Sequence, residues 1–245
     1  MVKNINKIIG IDEAGRGPLA GPVAVGVVII YSSACWGLLR GIKDSKKLSF
    51  KKREMWFSLA KNAKNKGELN FSVSLISSKF IDKYGISKAI NMGIKRSLTR
   101  LGAQSADKIF LDGALKAPSN FYRQTTVVRG DEKIPAISLA SICAKVTRDR
   151  YMNNISKKYP NFKFNENKGY GTYEHIISIN KYGITDLHRK SFLKKLTYAS
   201  TNYKDIERGL DNDNIGNKRG VAKQQKRRLR IFSTRLQEGG NTSTQ

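Results

Sequence analysis

The chain has 245 residues, 39% of them hydrophobic, which is enough for one folded domain with a buried core. Its 46 Lys and Arg residues outnumber its 19 Asp and Glu residues, so the formal charge at pH 7 is +27. This surplus favours a polyanionic partner, nucleic acid before an anionic membrane, although a merely solvated basic surface gives the same composition. Two cysteines and two histidines argue against a zinc site, and the lack of a long apolar stretch predicts a soluble, cytoplasmic protein without a membrane span.

The hydrophobic pattern alternates between strands and helices along most of the chain. In chain order it predicts strands at 5–11 and 23–30, a helix at 49–62, a strand at 70–76, a helix from about 87, strands at 108–111 and 125–129, a helix at 137–155, and a helix ending near 181. Ser49 and Ser87 are the predicted N-caps of the first two helices. Strands followed by alternating helices and strands favour an α/β fold, in which a sheet is flanked by helices.

Acidic residues stand at the ends of three predicted strands. Asp12 and Glu13 follow the first strand, and Asp112 and Asp131 end two later ones. Because sites in open α/β sheets form outside the carboxyl ends of strands, these carboxylates are candidates to converge. Clustered carboxylates repel unless a hard cation neutralises them, and oxygen ligands favour Mg²⁺ or Mn²⁺. In a protein that binds a polyanion the pattern predicts two-metal phosphodiester hydrolysis, whereas a capping or solvated role is the default for any single acid.

Seven sequence blocks resemble the bacterial type 2 ribonuclease H family, ribonuclease HII. They occur in the family's order: Ile9–Val23 (IGIDEAGRGPLAGPV), Lys43–Leu48 (KDSKKL), Phe110–Gly113 (FLDG), Gly130–Asp131, Ile137–Arg150 (ISLASICAKVTRDR), Gly169–Thr172 (GYGT) and His188–Phe192 (HRKSF). The first block is already specific, and all seven in order leave chance a negligible explanation. The resemblance implies a ribonuclease H-like fold, a mixed sheet flanked by helices with a helical C-terminal region.

The resemblance also implies an activity. It is that of an endonuclease that hydrolyses the phosphodiester 5′ of a ribonucleotide, leaving 3′-hydroxyl and 5′-phosphate ends. The implied substrates are RNA–DNA hybrids and duplex DNA with embedded ribonucleotides, the implied cofactor is Mg²⁺ or Mn²⁺, and we expect a monomer. Two rival classes are a metal nuclease of the same fold that cuts DNA alone and a non-catalytic basic protein that binds nucleic acid.

Carried over residue by residue, the resemblance assigns the metal site. Asp12, Glu13, Asp112 and Asp131 match the family's four metal-binding carboxylates. Glu132 and Asp149 are the alternatives to Asp131. An ion pair on its helix is the preferred role of Asp149, because Arg148 and Arg150 flank it. The motif of Gly15, Arg16 and Gly17 matches the family's ribonucleotide-recognition motif, in which the main chain contacts the 2′-hydroxyl.

Further residues match substrate contacts of the family. Tyr170 matches the tyrosine that stacks against the sugar beside the ribonucleotide, and Ser45 and Lys46 match a phosphate-contacting loop. The HRKSF block leaves two alternatives open, a phosphate contact or a structural hydrogen-bonding role for His188, Arg189 and Ser191. Leu139 departs from the family, which commonly has alanine there, and this is a packing change within an apolar helix.

The end of the chain has a different composition. We predict a catalytic domain at 1–200, including C-terminal helices, and a basic, disordered tail at 201–245. Eight basic residues and no acid occur between Lys218 and Arg235. This tail lies outside the resemblance, and nucleic-acid binding and an unselected extension explain it equally well.

Truncation near residue 202 is expected to leave the cleavage position and the metal requirement unchanged, because every recognised block ends by Phe192. If the tail lies on phosphates, truncation should flatten the log–log salt dependence of duplex binding by about 0.9 for each engaged cation. Binding over a salt series, with melting temperatures of the same proteins, tests this. An unchanged slope with a lower melting temperature would indicate a packed helix with an apolar face of Leu229, Ile231, Phe232 and Leu236.

Overall fold

The computed structural model describes residues 7–31, 37, 39–42 and 48–193. These residues divide into two compact units, the first comprising 7–15 and 22–151, and the second 16–21 and 152–193. Five strands are present in the described chain: β1 (Ile8–Ala14), β2 (Val23–Ile30), β3 (Leu69–Ile76), β4 (Lys108–Asp112) and β5 (Gln124–Val127). The helices are α1 (Phe50–Asn65), α2 (Ser78–Tyr84), α3 (Ile86–Arg100), α4 (Gly130–Lys133), α5 (Pro135–Ser156), α6 (Phe164–Asn167) and α7 (Tyr173–Tyr182).

The strands form one mixed sheet in the first unit, in the order β3-β2-β1-β4-β5. The pairs β1–β2 and β2–β3 are antiparallel, whereas β1–β4 and β4–β5 are parallel. Ile11 of β1 is in register with Leu111 of the parallel strand β4. Asp12 and Asp112 are the next residues of these two strands, so both lie at the same edge of the sheet. The predicted mixed sheet flanked by helices is therefore confirmed.

Helix α5 lies directly on the sheet because two strand residues lack a side chain. A Cβ added at Gly10 of β1 would lie 2.3 Å from the carbonyl oxygen of Ala136, and one at Gly26 of β2 would lie 2.3 Å from that of Ala140. Helix α1 joins α5 in a hydrophobic core that includes Phe57 and Cys143. Side chains alternate between the two faces of a strand, so Asp12 points to the same face as Gly10, toward α5.

Helix α3 covers the opposite face of the sheet. A Cβ at Gly93 would lie 2.6 Å from Val25 of β2, and the hydroxyls of Ser74 on β3 and Ser97 on α3 form a buried hydrogen bond of 2.8 Å. The predicted periodicity of this helix, with Ile90 among its buried residues, is confirmed. Helices on both faces fix the sheet, and with it the strand ends that carry the acidic residues.

The second unit is built from short helices around aromatic side chains. The rings of Phe162 and Phe164 stack with centroids 5.5 Å apart, and Thr172 caps α7 by accepting a hydrogen bond from the backbone N–H of His175. The segment 16–21 belongs to this unit, because the backbone N–H groups of Leu19 and Ala20 both donate to the carbonyl of Gly169. No helix of the described residues is long and apolar enough to cross a bilayer.

Several element boundaries differ from the sequence predictions. Ser49 caps α1 as predicted, but Gly85 rather than Ser87 precedes α3, and Ser87 lies within the helix. Helix α2 was not predicted, since it is a single short segment separated from α3 by one glycine. Strand β1 continues through Ala14, so Asp12 and Glu13 lie within the strand rather than after it. The predicted tail lies outside the described residues.

Candidate active site

Three predicted acidic residues interact at the edge shared by β1 and β4. Asp12 is 4% exposed, while Glu13 and Asp112 are partly buried. Burial raises the pKa of Asp12 well above its usual value, and the charges of Glu13 and Asp112 raise it further. A hydrogen bond from the side chain of Ser141 on α5 opposes this shift. Asp12 therefore interacts by charge with the other two acidic residues, and their convergence on one metal site stays a prediction.

Asp131 follows a residue that contacts this group, and it lies in a different element from the one predicted. Strand β5 ends at Val127, and Asp131 is a buried residue of the short helix α4. Its neighbour Gly130 donates a backbone hydrogen bond of 2.7 Å to Oδ1 of Asp112. The Asp131 carbonyl accepts from the hydroxyl of Ser138 at 2.6 Å, which fixes the backbone of α4 against α5.

Asp149, an alternative metal ligand, has a structural contact. Its carboxylate forms an ion pair of 2.8 Å with Lys145, one turn earlier on α5. The preferred interpretation of Asp149 as an ion-paired helix residue is therefore confirmed, although Lys145 rather than a flanking arginine is the partner. Ser45 and Lys46 lie outside the described residues.

Arg148 fixes the start of the Gly-Arg-Gly motif within the first unit. It is 1% exposed, and its Nε donates to the carbonyl of Pro22 at 2.9 Å. Gly15 has a φ of +88°, and a Cβ added to it would lie 2.0 Å from Nε of Arg148. Glycine is therefore required here both by the left-handed backbone and by the arginine packed against it.

Arg189 fixes the rest of the motif within the second unit. It is fully buried, its Nη1 donates to the carbonyl of Arg16 at 2.9 Å, and its Nε donates to the carbonyl of Gly21 at 3.0 Å. Its own backbone N–H donates to Leu19 at 2.7 Å. Burial and these contacts decide between the two alternatives for Arg189 in favour of the structural role.

Tyr170 lies in the second unit between two glycines and is partly buried. Its backbone N–H donates to the carbonyl of Asn167 at 2.9 Å, and its carbonyl accepts from the N–H of Thr172 at 2.8 Å. The side chain is thus attached to a backbone segment that hydrogen bonds fix at both ends.

Two of the residues that fix the site, Ser141 and Arg148, were not assigned from the sequence, whereas the structural role of Arg189 was one of two alternatives. Ser141 and Arg148 both fall within a recognised block, but an isolated serine or arginine in a helical segment is usually a surface residue. The available signal was the apolar surroundings of Ser141 and Arg148 in the sequence ISLASICAKVTRDR, which place both on a buried helix.

The carboxylates have the donor chemistry of a site for a hard divalent cation. All of the candidate ligands are oxygen atoms, and a cation would relieve the repulsion that raises the pKa of buried Asp12. Among the described residues, however, no three Asp, Glu, His or Cys side chains lie close enough together to enclose one metal ion. The residues fit such an ion by their chemistry and burial. Their side chains interact by charge but are not arranged as a complete set of ligands around one ion.

Comparison with known proteins assigns the family. The sequence profile of ribonuclease HII matches residues 9–199. The chain belongs to the ribonuclease HII family. A ribonuclease HII of Caldicellulosiruptor bescii is 43% identical over 189 residues, which cover 77% of this chain and 87% of the relative. The resemblance drawn from the seven sequence blocks is confirmed.

Solved structures agree with this assignment. The crystal structure of ribonuclease H2 from Pyrococcus horikoshii OT3 matches with a TM-score of 0.60 and 28% identity, over 77% of this chain and 96% of that one. The structure of Bst-RNase HIII in complex with Mn²⁺ matches with a TM-score of 0.57 and 16% identity, over 80% of this chain and 70% of that one, and so supports the fold alone. As a member of the ribonuclease HII family the protein is a hydrolytic endoribonuclease of the ribonuclease H type.

We expect Asp12→Asn to raise the melting temperature in EDTA. The folded-state pKa of Asp12 is raised, so the native state binds more protons than the unfolded state, and ionisation of this carboxylate destabilises the fold as pH rises. An uncharged amide of the same shape removes that cost, and each kcal/mol gained raises the melting temperature of a domain of this size by about 2–4 °C. Thermal melts at pH 7.5 measure the difference.

Asp107→Asn is the matched control for this prediction. Asp107 is also buried, but its carboxylate accepts a backbone hydrogen bond of 2.8 Å from Gln104 and lies at the opposite end of β4. This variant should melt at or below the wild-type temperature. The interpretation of Asp12 as a repelled carboxylate would be wrong if both variants shifted the melting temperature in the same direction.

Proposed function

We propose that the protein cleaves the phosphodiester on the 5′ side of ribonucleotides, in RNA–DNA hybrids and in duplex DNA that contains embedded ribonucleotides. The products would carry 3′-hydroxyl and 5′-phosphate ends. The observation that carries this proposal is the buried carboxylate of Asp12, which the partly buried Glu13 and Asp112 repel at one sheet edge of a ribonuclease HII family member. The net charge of +27 favours a polyanionic substrate, and neighbouring carboxylates favour hard cations as their partners.

Asp12, Glu13, Asp112 and Asp131 would bind Mg²⁺ or Mn²⁺. Bound ions of this kind supply a nucleophilic water at neutral pH and stabilise the leaving oxygen of a phosphodiester. Bst-RNase HIII, which has the same fold, has been solved in complex with Mn²⁺, and this supports a divalent ion as the cofactor. Ser141 would orient Asp12 from α5, and the backbone N–H of Gly130 would orient Asp112.

The Gly-Arg-Gly motif would distinguish ribose from deoxyribose. A 2′-hydroxyl both donates and accepts hydrogen bonds, so a rigid main chain with exposed amide and carbonyl groups is suited to recognise it. Rigidity is the feature that Arg148 provides at Gly15 and that Arg189 provides at Arg16. Gly17 would allow the sugar to approach the backbone. Tyr170 would stack on the adjacent sugar, and Ser45 and Lys46 would contact phosphate.

The test uses three duplexes that differ only at one position or strand: DNA with a single ribonucleotide, an RNA–DNA hybrid and all-DNA. Purified protein is incubated with each in Mg²⁺, in Mn²⁺ and in EDTA, and the product ends are mapped on a sequencing gel. We expect metal-dependent cutting of the first two at the 5′ side of ribose, and none of the third. Equal cutting of the all-DNA duplex would favour a general nuclease. Tight binding with no cutting in either metal would favour a non-catalytic protein.

A further inference from the structure

The two histidines of the chain, His175 and His188, lie against each other inside the second unit. Their Nε2 atoms are 3.1 Å apart, and both side chains are buried. The rings of Phe162 and Phe164 pack on both imidazoles, with centroid distances from 5.0 to 6.3 Å. Two buried imidazoles in contact are costly unless their hydrogen bonds are complementary, so the arrangement of their hydrogens decides what the pair does.

The contacts at the two ends of the pair determine its hydrogens. The backbone N–H of Thr185 donates to Nδ1 of His188 at 2.9 Å, so this nitrogen is unprotonated and Nε2 of His188 carries the hydrogen. The carbonyl of Tyr170 can only accept, and it lies 2.8 Å from Nδ1 of His175, so that nitrogen carries the hydrogen. Nε2 of His188 therefore donates to Nε2 of His175. One arrangement satisfies all three contacts.

This chain of hydrogen bonds requires both rings to be neutral. An added proton would place hydrogens on both facing Nε2 atoms or against the N–H of Thr185. Burial lowers the pKa of His175, and burial together with the neighbouring imidazole lowers the pKa of His188 to about 4. Apart from the partner ring, the groups found against the pair among the described residues are uncharged: two phenyl rings, the Tyr170 carbonyl, and the N–H and hydroxyl of Thr185.

This series of hydrogen bonds ends at the backbone of Tyr170, in a segment whose position is set by hydrogen bonds because glycines flank the tyrosine. Gly169, with a φ of +83°, precedes it, and Gly171 follows it. Glycine leaves the backbone free, so the direction of the Tyr170 side chain depends on hydrogen bonds to its peptide groups. Of the two that its carbonyl accepts, one is local, from Thr172, and the other comes from His175.

We propose that His175 and His188 are positioning residues, which transmit the fixed position of Thr185 to the Tyr170 backbone and so aim its side chain at the substrate. Neither histidine touches the substrate in this proposal. It rests on the proposed function, because Tyr170 matters only if it stacks on the sugar. The positioning itself is a property of the free protein and can be measured without substrate.

The first experiment is nitrogen NMR of untagged protein labelled with ¹⁵N-histidine. Since the chain contains two histidines, every ring signal belongs to this pair. We expect His175 as the Nδ1–H tautomer and His188 as the Nε2–H tautomer, with ring-nitrogen shifts unchanged between pH 8 and pH 5.5. Two identical tautomers, or titration of either ring near pH 6.5, would overturn the proposal whatever the protein cleaves.

The second experiment compares two amides at position 188. In His188→Asn the amide lies near the former Nδ1, so it can contact Thr185 but cannot reach His175. In His188→Gln the amide nitrogen lies near the former Nε2 and can still donate to His175. On the single-ribonucleotide duplex we expect His188→Asn to lower kcat/KM about tenfold, and His188→Gln to lower it by about threefold or less.

The same substitutions in a Tyr170→Ala background decide whether the pair acts through Tyr170. There, His188→Asn should change kcat/KM by less than about twofold, since the side chain to be aimed is gone. A tenfold loss in both backgrounds, or equal losses for Asn and Gln, would show a merely structural role and overturn the proposal. If the wild type cuts none of the duplexes, the proposed function fails, and the NMR result still decides whether the pair fixes Tyr170. If His188→Asn does not fold, the NMR result again decides whether the histidine pair fixes Tyr170.

Discussion

Asp112→Asn is expected to abolish cleavage of ribonucleotide-containing duplexes, with a loss in kcat on the order of a thousandfold or more. Asp112 ends β4 and interacts by charge with Asp12 on the adjacent parallel strand. An asparagine oxygen can still accept the hydrogen bond that Gly130 donates to Oδ1, so the local fold should persist. The variant therefore removes the negative charge from the proposed metal site while leaving its shape.

Substrate binding separates loss of chemistry from loss of the site. Removing a carboxylate lowers the repulsion of phosphates, so binding of the hybrid in EDTA should be unchanged or tighter. Fluorescence anisotropy of a labelled duplex measures this alongside the cleavage rate in Mg²⁺. Near wild-type cleavage by Asp112→Asn would remove this residue from the catalytic group.

Asp107→Asn provides the control at the other end of β4. Asp107 immediately precedes β4, whereas Asp112 is the last residue of that strand, so the two aspartates lie at opposite ends. Its carboxylate serves the backbone of Gln104 in a turn. This variant should cleave at a rate within about twofold of wild type at temperatures where it is folded. Loss of activity in both variants would point to damage of β4 rather than to a role for the charge.

The sequence predicted best where local pattern and tertiary role coincide. Strand β2 was predicted with the residues it has, because Val23–Ile30 is an unbroken apolar run that both faces of the sheet bury. Ser49 was recognised as a cap because its side chain bonds within its own turn, to the N–H of Lys52. The family resemblance, which depends on short specific blocks, was confirmed by the match over residues 9–199.

Prediction failed where one residue changes the local geometry. Serine is a common N-cap residue, so Ser87 was the predicted cap. Gly85, with a φ of +83°, instead ends α2 and is also the residue before α3, so no loop separates the two helices. Asp131 was placed at a strand end because Arg129 continues the apparent strand. Strand β5 in fact ends at Val127, and Arg129 adopts a left-handed backbone with a φ of +55° directly before α4. A non-glycine residue in this conformation cannot be recognised from its type.

The candidate site was predicted in its chemistry but not in its support. The acidic residues were found from their positions after apolar runs, and their roles as metal ligands stay predictions. The groups that fix the Gly-Arg-Gly motif are far away in sequence: Arg148 lies 126 residues from Pro22, and Arg189 lies 173 residues from Arg16. A single sequence does not show that residues so far apart along the chain are in contact, because a hydrogen bond from a side chain to a distant carbonyl leaves no periodic pattern.

The importance of Arg148 leads to the second large effect, expected for Gly15→Ala. The added methyl group would lie 2.0 Å from Nε and 2.5 Å from Cδ of Arg148, whose hydrogen bond to Pro22 prevents easy movement. The backbone of Gly15 must therefore shift, and displacement of a substrate-binding motif by about 1 Å can lower the rate a hundredfold. We expect kcat/KM on the single-ribonucleotide duplex to fall by about that factor.

Backbone strain alone does not account for this expectation, and Gly85→Ala is the variant that isolates it. Gly85 has a φ of +83°, close to the +88° of Gly15, but a Cβ added there would have nothing within 4 Å. Both substitutions carry a positive-φ strain on the order of 1–3 kcal/mol and should lower the melting temperature, while Gly85→Ala should keep kcat/KM within about twofold of wild type. Equal kcat/KM values for the two variants would show that the contact between Gly15 and Arg148 does not position the motif. A hundredfold loss confined to Gly15→Ala, in protein that is still folded at the assay temperature, would mean that the motif tolerates no movement against Arg148.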